Sequence, residues 1–284
     1  MYNTINGGID MYKIIASDLD ETLLDDHHQI CEANKKAIHE ASKRGVKFVP
    51  CTGRGYMAIQ AILKDLDLDD KENEYSISFN GCALTENKNN RLIFFNGLDF
   101  DKAAELFEFG KTKDVCIHVY TSTEVYVYNL NEDERQRFYN QKNTFIEIEG
   151  ESIEFLRDEP IAKVLYQNVD VPYLKSFEEE MRSLTDDAVS VSYSSNRYME
   201  LNRLGVNKGD TLRQLAKLLG CDIEQTIGVG DNYNDMPMLL AAGLSVAAGN
   251  SVPDVKEACD YVCENDNNQG VLAELIEKFI LNEK

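Results

Sequence analysis

Lys13-Ile14-Ile15-Ala16-Ser17-Asp18-Leu19-Asp20-Glu21-Thr22-Leu23 is a short apolar run that the chain leaves through two carboxylates spaced one residue apart. The run reads as a strand. Beyond it, Ile30 to Arg44 repeats apolar residues at helical spacing and stops before Gly45, and Val46 to Cys51 is a second apolar strand. A helical pattern over Tyr56 to Leu68 and a strand over Tyr75 to Phe79 continue the alternation, which predicts an α/β fold with a doubly wound parallel sheet and helices on both faces. Such sheets place their ligand crevice at the carboxyl ends of the strands, where Asp18 and Asp20 sit.

The pattern changes after Cys82. Cys82 to Thr85 and Arg91 to Phe95 flank the turn-rich Glu86-Asn87-Lys88-Asn89-Asn90 as a hairpin would. Strand-like stretches follow at Val115 to Tyr120, Val125 to Tyr128, Ala162 to Tyr166 and Val189 to Ser192, interleaved with charged helices. That mixture predicts an α+β module built on an antiparallel sheet. The α/β rhythm resumes after Tyr198 to Leu201, with a helix over Lys208 to Leu219, a strand over Thr226 to Val229 and a helix over Asn234 to Ala242. Shorter units at Leu244 to Ala247 and Tyr261 to Cys263 and a closing helix over Val271 to Leu281 complete it. The expected organisation is one α/β domain formed by residues 11–85 and 194–284, interrupted by an inserted module at 86–193 and preceded by an extension at 1–10, since the sequence restarts as Met11-Tyr12-Lys13.

Composition bounds the partners. The 284 residues carry a net charge of −21, a field that repels phosphate backbones and anionic lipid and so argues against nucleic acid or a membrane surface. No run approaches the ~18 apolar residues needed to span a bilayer. The first ten residues lack the basic start and apolar stretch of a secretory signal, so cytoplasm is the expected location. Seven scattered cysteines without a close CxxC pair read as free, mostly buried thiols, and Cys259 with Cys263 lacks the further His or Cys that would complete a zinc set. An acidic protein that handles an anionic ligand must place local positive charge at the site, from a cation, a lysine or helix N-termini.

With that requirement in view, four stretches stand out. Asp18 and Asp20 offer one carboxylate to attack and another to move a proton, or else form a solvated loop. Thr52-Gly53-Arg54-Gly55 follows the second strand and opens a helix, presenting a hydroxyl and backbone N–H groups to an anion, although a plain turn capped by Thr52 has the same residues. Asn207-Lys208-Gly209-Asp210 opens another helix with a lysine that can meet a phosphoryl oxygen. Gly228-Val229-Gly230-Asp231-Asn232-Tyr233-Asn234-Asp235 packs carboxylates and a carboxamide into one loop, a donor set for a hard divalent cation or a helix cap. Arg54 and Asn80 lie beside these positions and merit attention, whereas His27 and His28 read as an exposed turn.

Taken together, in this order and each at a strand end, the four stretches resemble the motifs of the haloacid dehalogenase superfamily, from Met11 to nearly the end of the chain. Within it the chain resembles the Cof-type sugar phosphatases, whose type IIB cap is inserted between the second and third motifs. Here 34 residues separate Asp18 from Thr52 and 156 separate Thr52 from Lys208. Ser78-Phe79-Asn80-Gly81, Tyr198-Met199-Glu200-Leu201 and Ala248-Gly249-Asn250-Ser251-Val252 also look like that subgroup. The resemblance implies a Rossmann-like core with an α+β cap and a phosphatase acting on small phosphorylated metabolites, with Mg2+ as cofactor. It implies Asp18 as nucleophile and Asp20 as acid and base. Mg2+ would be held by Asp18, the Asp20 carbonyl and Asp231, with Asp235 in support, and phosphate by Thr52, Gly53, Lys208 and Asn234. Relatives commonly carry Thr and Asn ahead of the late Gly-Val pair, where this chain has Cys263 and Asp266 before Gly270-Val271. A phosphomutase and a catalytically idle phosphometabolite sensor are the competing readings, the intact Asp18 and Asp20 speaking against the second. Nothing in the pattern sets an oligomeric state.

Overall fold

The computed structural model describes residues 12–141, 144–150 and 152–282; the expected extension at 1–10 lies outside the described residues. The chain forms two compact units, one from residues up to Arg54, 59–93 and Asn207 onward, the other from 55–58 and 94–206. The first begins with β1 (Ile14–Ser17), α1 (Glu32–Lys43), β2 (Lys47–Pro50), α2 (Gln60–Asp65), β3 (Tyr75–Ser78), β4 (Ala83–Glu86) and β5 (Arg91–Phe95). The second contains α3 (Phe100–Lys111), β6 (Cys116–Thr121), β7 (Val125–Tyr128), α4 (Glu132–Gln141), β8 (Ile146–Ile148), β9 (Ile161–Gln167), α5 (Val171–Ser176), α6 (Glu178–Thr185), β10 (Val189–Ser194) and β11 (Tyr198–Arg203). The first is then completed by α7 (Lys208–Leu219), β12 (Thr226–Gly230), α8 (Met236–Ala241), β13 (Leu244–Ala247), α9 (Pro253–Ala258), β14 (Tyr261–Val262) and α10 (Val271–Ile276).

The first unit is α/β. Its five-stranded sheet has the order β14-β13-β12-β1-β2, with every pairing parallel. β1 lies inside the sheet between β12 and β2 and is buried throughout, as expected of an apolar strand covered on both faces. Ile15 and Leu19 pack with Phe48, Val229, Val246, Leu272 and Leu275 in one core. From β1 the chain moves outward on one side to β2, and on the other side it returns as β12. Strand order therefore reverses beside β1, the position at which open α/β sheets bind ligands.

One expectation needs correction. The strand at Tyr75 does not extend the parallel sheet as a full member: β3 touches it through one Cys51–Ile77 bridge and instead pairs antiparallel with β4 in a small β3-β4-β5 sheet. β5 straddles the junction at residues 93 and 94, and β11, which pairs with both β10 and β9, belongs to the second unit.

The second unit carries a six-stranded sheet in the order β10-β11-β9-β6-β7-β8. It is antiparallel except at its β7–β8 edge, where α4 makes the crossover that a parallel pair needs. One face packs Ile117, Val119, Val164, Tyr166, Met199 and Leu201 against Leu106, Phe107, Leu174 and Met181 of α3, α5 and α6. All seven thiols are free, and Cys51, Cys82, Cys116 and Cys263 are buried. No helix among the described residues is long and apolar enough to cross a membrane.

Candidate active site

β1, β2 and β12 end side by side, and the ladder continues just past them. Asp18 N donates to Val229 O at 2.9 Å and Cys51 N to Ser17 O at 2.7 Å, so Asp18 is fixed at the sheet's carboxyl edge. Asp231 follows Gly230, the last residue of β12. The turn after it is closed by Asp235, whose Oδ2 accepts from the backbone N–H groups of Asp231 at 3.0 Å and Asn232 at 3.1 Å. That closure requires Gly230, because a Cβ there would lie 2.5 Å from the Asp235 Cβ and Cγ.

Lys208 is the first residue of α7, behind an Asn207 cap whose side chain accepts from Asp210 N. Its ammonium is fully buried and donates to Asp18 Oδ1 at 2.5 Å and Asp235 Oδ1 at 2.6 Å. Asp18, Asp231 and Asp235 each offer a carboxylate oxygen, and these oxygens lie within 4.8 Å of one another. Thr22 donates its hydroxyl to Asp231 Oδ1 at 2.7 Å.

The other expected residues form two adjoining groups. Asp20 points its carboxylate to Arg54, which donates from Nε to Oδ2 at 2.9 Å and from Nη2 to Oδ1. Exposed His28 brings Nδ1 within 3.7 Å of Asp20 Oδ1. Thr52 is buried, and its Oγ1 accepts from Arg54 N at 3.1 Å. Asn234 Nδ2 donates to Asn80 Oδ1 at 3.4 Å, and the Asn80 carboxamide lies against Gly53, where a Cβ would meet Oδ1 at 3.2 Å.

Sequence reasoning missed Thr22, although it stands inside the first motif: a threonine in a polar loop carries no mark that it will reach a carboxylate 209 residues away. It also missed Asn267. That buried carboxamide donates to Leu24 O and Asp26 Oδ1, and Asn267 N donates to Asn250 Oδ1 while Asn250 Nδ2 donates to Glu21 O. These bonds brace the loop after Asp18 close to the place where Cys263 and Asp266 depart from the pattern.

The charges of the cluster do not balance. Three carboxylates share one ammonium, and burial withholds the water that would offset the rest. Burial, then the Asp235 and Asp231 charges, lift the Asp18 carboxyl well above its ordinary range against the pull of Lys208. Burial likewise pushes Asp231 up to about 7, opposed by the Thr22 hydroxyl and aided by Asp235. For Lys208 burial acts downward, but Asp18 and Asp235 outweigh it and the ammonium stays charged. Clustered buried carboxylates that share one ammonium fit a hard divalent ion, which would bind oxygen donors of this kind.

The profile of the haloacid dehalogenase-like hydrolases matches residues 15–275. The chain belongs to that family. It is 32% identical over 276 residues to the YxeH protein of Bacillus subtilis, covering 95% of this chain and 99% of YxeH. It is 29% identical over 269 residues to the 5-amino-6-(5-phospho-D-ribitylamino)uracil phosphatase YcsE of the same organism, covering 95% and 96%. A crystal structure of a haloacid dehalogenase-like hydrolase from Bacteroides thetaiotaomicron superposes with a TM-score of 0.84 at 28% identity, over 94% of this chain and 99% of that one. This member of the haloacid dehalogenase-like hydrolases is of the Cof type and is a phosphatase.

Proposed function

We propose that the protein is a Mg2+-dependent phosphatase of small phosphorylated metabolites, sugar phosphates foremost, acting through an aspartyl-phosphate on Asp18. The observation that carries this reading is the Asp18 carboxylate itself. It is held at the end of β1 by Lys208 and faces Asp231 and Asp235, a donor set that suits a divalent cation. An anionic nucleophile meets an anionic ester only where positive charge is placed in advance. Bound Mg2+ would supply part of that charge by polarising phosphoryl oxygens.

In the first half-reaction an Asp18 oxygen bonds to phosphorus, the ester P–O bond breaks, and the leaving oxygen takes a proton from Asp20. In the second, water attacks phosphorus while Asp20 takes its proton, releasing phosphate and restoring the Asp18 carboxylate. The Arg54 guanidinium engages both Asp20 oxygens, so delivery of a proton requires Asp20 to turn out of that pair. Arg54 thereby keeps the acid parked between turnovers. Lys208, the Thr52 hydroxyl, the Gly53 N–H and the Asn234 carboxamide would hold phosphoryl oxygens. The inserted unit corresponds to the family's cap module and the discontinuous unit to its catalytic domain. The name of YcsE specifies a phosphorylated ribityl chain, an open-chain polyol phosphate, and supports this substrate class.

The test is release of inorganic phosphate from an aryl phosphate and from a panel of sugar and polyol phosphates, with Mg2+ and with a chelator. Wild-type protein turns over only with the cation. Asp18→Asn loses at least about a thousandfold in kcat while its thermal unfolding is retained, as expected when a nucleophile is removed. Comparable rates in the variant would overturn the reading.

A further inference from the structure

Three consecutive residues after β3 adopt left-handed backbone: Phe79 at φ 52°, Asn80 at φ 54° and Gly81 at φ 100°. Glycine takes that conformation freely, asparagine with little cost, and a bulky side chain such as Phe79 only under strain, of the kind that concentrates at functional sites. The surroundings show what holds it. Asn80 N donates to Thr52 O at 2.9 Å and Phe79 N to Arg54 O at 3.0 Å, while Thr52 N donates back to Ile77 O at 2.9 Å. On the other flank Thr211 Oγ1 donates to Gly81 O at 2.7 Å, and a Cβ on Gly81 would lie 2.2 Å from Asn207 O. The turn is therefore wedged between the Thr52–Arg54 turn and the start of the helix that bears Lys208.

Its one polar side chain is not spent on stabilising the turn. The Asn80 carboxamide reaches sideways to Gly53 and Asn234, accepting from Asn234 Nδ2 through Oδ1. Its Nδ2 donates to no protein group among the described residues and is left as a free donor beside two expected phosphate-binding positions.

We propose that Asn80 is a further phosphoryl-binding residue, its Nδ2 donating to an oxygen of the transferring phosphoryl group in a rim shared with Gly53 and Asn234. The strained turn serves to aim it. The assignment rests on the reading of this site as one for phosphoryl transfer and adds a fifth strand-end element to it.

Asn80→Gly suits the left-handed backbone and removes the carboxamide; Asn80→Asp keeps shape and turn preference but replaces the donor with a carboxylate. Binding of inorganic phosphate is measured by calorimetry in Mg2+, with thermal unfolding and turnover of an aryl phosphate alongside. The expected result is unchanged unfolding, a Kd for phosphate raised at least about fivefold in Asn80→Gly, as for loss of one hydrogen bond, and a larger rise in Asn80→Asp. Turnover efficiency falls in step. A Kd within twofold of wild type in both variants would make Asn80 a turn residue only and overturn the inference, as would wild-type protein that binds no phosphate. Wild-type protein that binds phosphate through Asn80 yet hydrolyses nothing would sustain the inference and overturn the phosphatase mechanism instead.

Discussion

Lys208 is the residue on which the site's electrostatics turn. Replacing it with Met leaves Asp18 and Asp235 buried without their cation, a loss that commonly costs about 3–5 kcal/mol and that protonation of the carboxyls only partly relieves. Urea unfolding of Lys208→Met in a chelator is expected to show a clearly lowered midpoint. Added Mg2+ should narrow the gap, since a bound cation restores positive charge to the native state alone. An unchanged midpoint would mean that the ammonium does not hold the carboxylates together. At this scale the sequence was informative wherever a residue type announces its chemistry at a strand end: Asp18, Lys208, Asp231 and Asp235 all meet. It marked Arg54 and Asn80 only as neighbours of the motifs and was silent on Thr22 and on the Arg54–Asp20 pairing, because which polar side chain reaches which partner depends on loop geometry that no spacing rule encodes.

Many strands and helices of the first unit were legible from apolar runs and helical periodicity; α7 runs over Lys208–Leu219 and β13 over Leu244–Ala247, as read from the pattern. β8 was not, being three residues long and largely exposed at a sheet edge, so no burial imposes alternation on it. The second unit's sheet also hides a titration. His118 on β6 is buried, neither ring nitrogen has a hydrogen-bond partner among the described residues, and burial followed by the charge of Lys163 holds its pKa down to about 3. Unfolded, the imidazole takes up a proton below about 6.5. Between those values the unfolded chain binds the extra proton, so stability is full above about 6.5 and is lost progressively as pH falls toward 3. Glu134, whose carboxylate lies 3.7 Å away and whose pKa burial raises, acts in the opposite sense. Comparing wild type with His118→Phe isolates the histidine: the variant should keep more of its neutral-pH stability at pH 4. Parallel acid limbs in denaturant titrations would rule out this role.

Taken as a whole, the chain interrupts one unit with another that is continuous apart from residues 55–58. The core of the second unit, from Leu98 to Leu201, is drawn wholly from its own segment. A fragment spanning 94–206 is therefore expected to fold alone, with a cooperative urea transition and dispersed amide resonances. A non-cooperative, collapsed fragment would contradict that independence. The first unit has no such freedom, since β1 and β2 precede the insertion while β12, β13 and β14 follow it. Chain growth on the ribosome proceeds from one end, and domains tend to fold as they emerge. Asp18 thus leaves the tunnel 190 residues ahead of the lysine it will pair with, on a sheet that still lacks β12, β13 and β14. The inserted unit can mature in the interval, and the reactive centre is among the last features of the nascent protein to come into being.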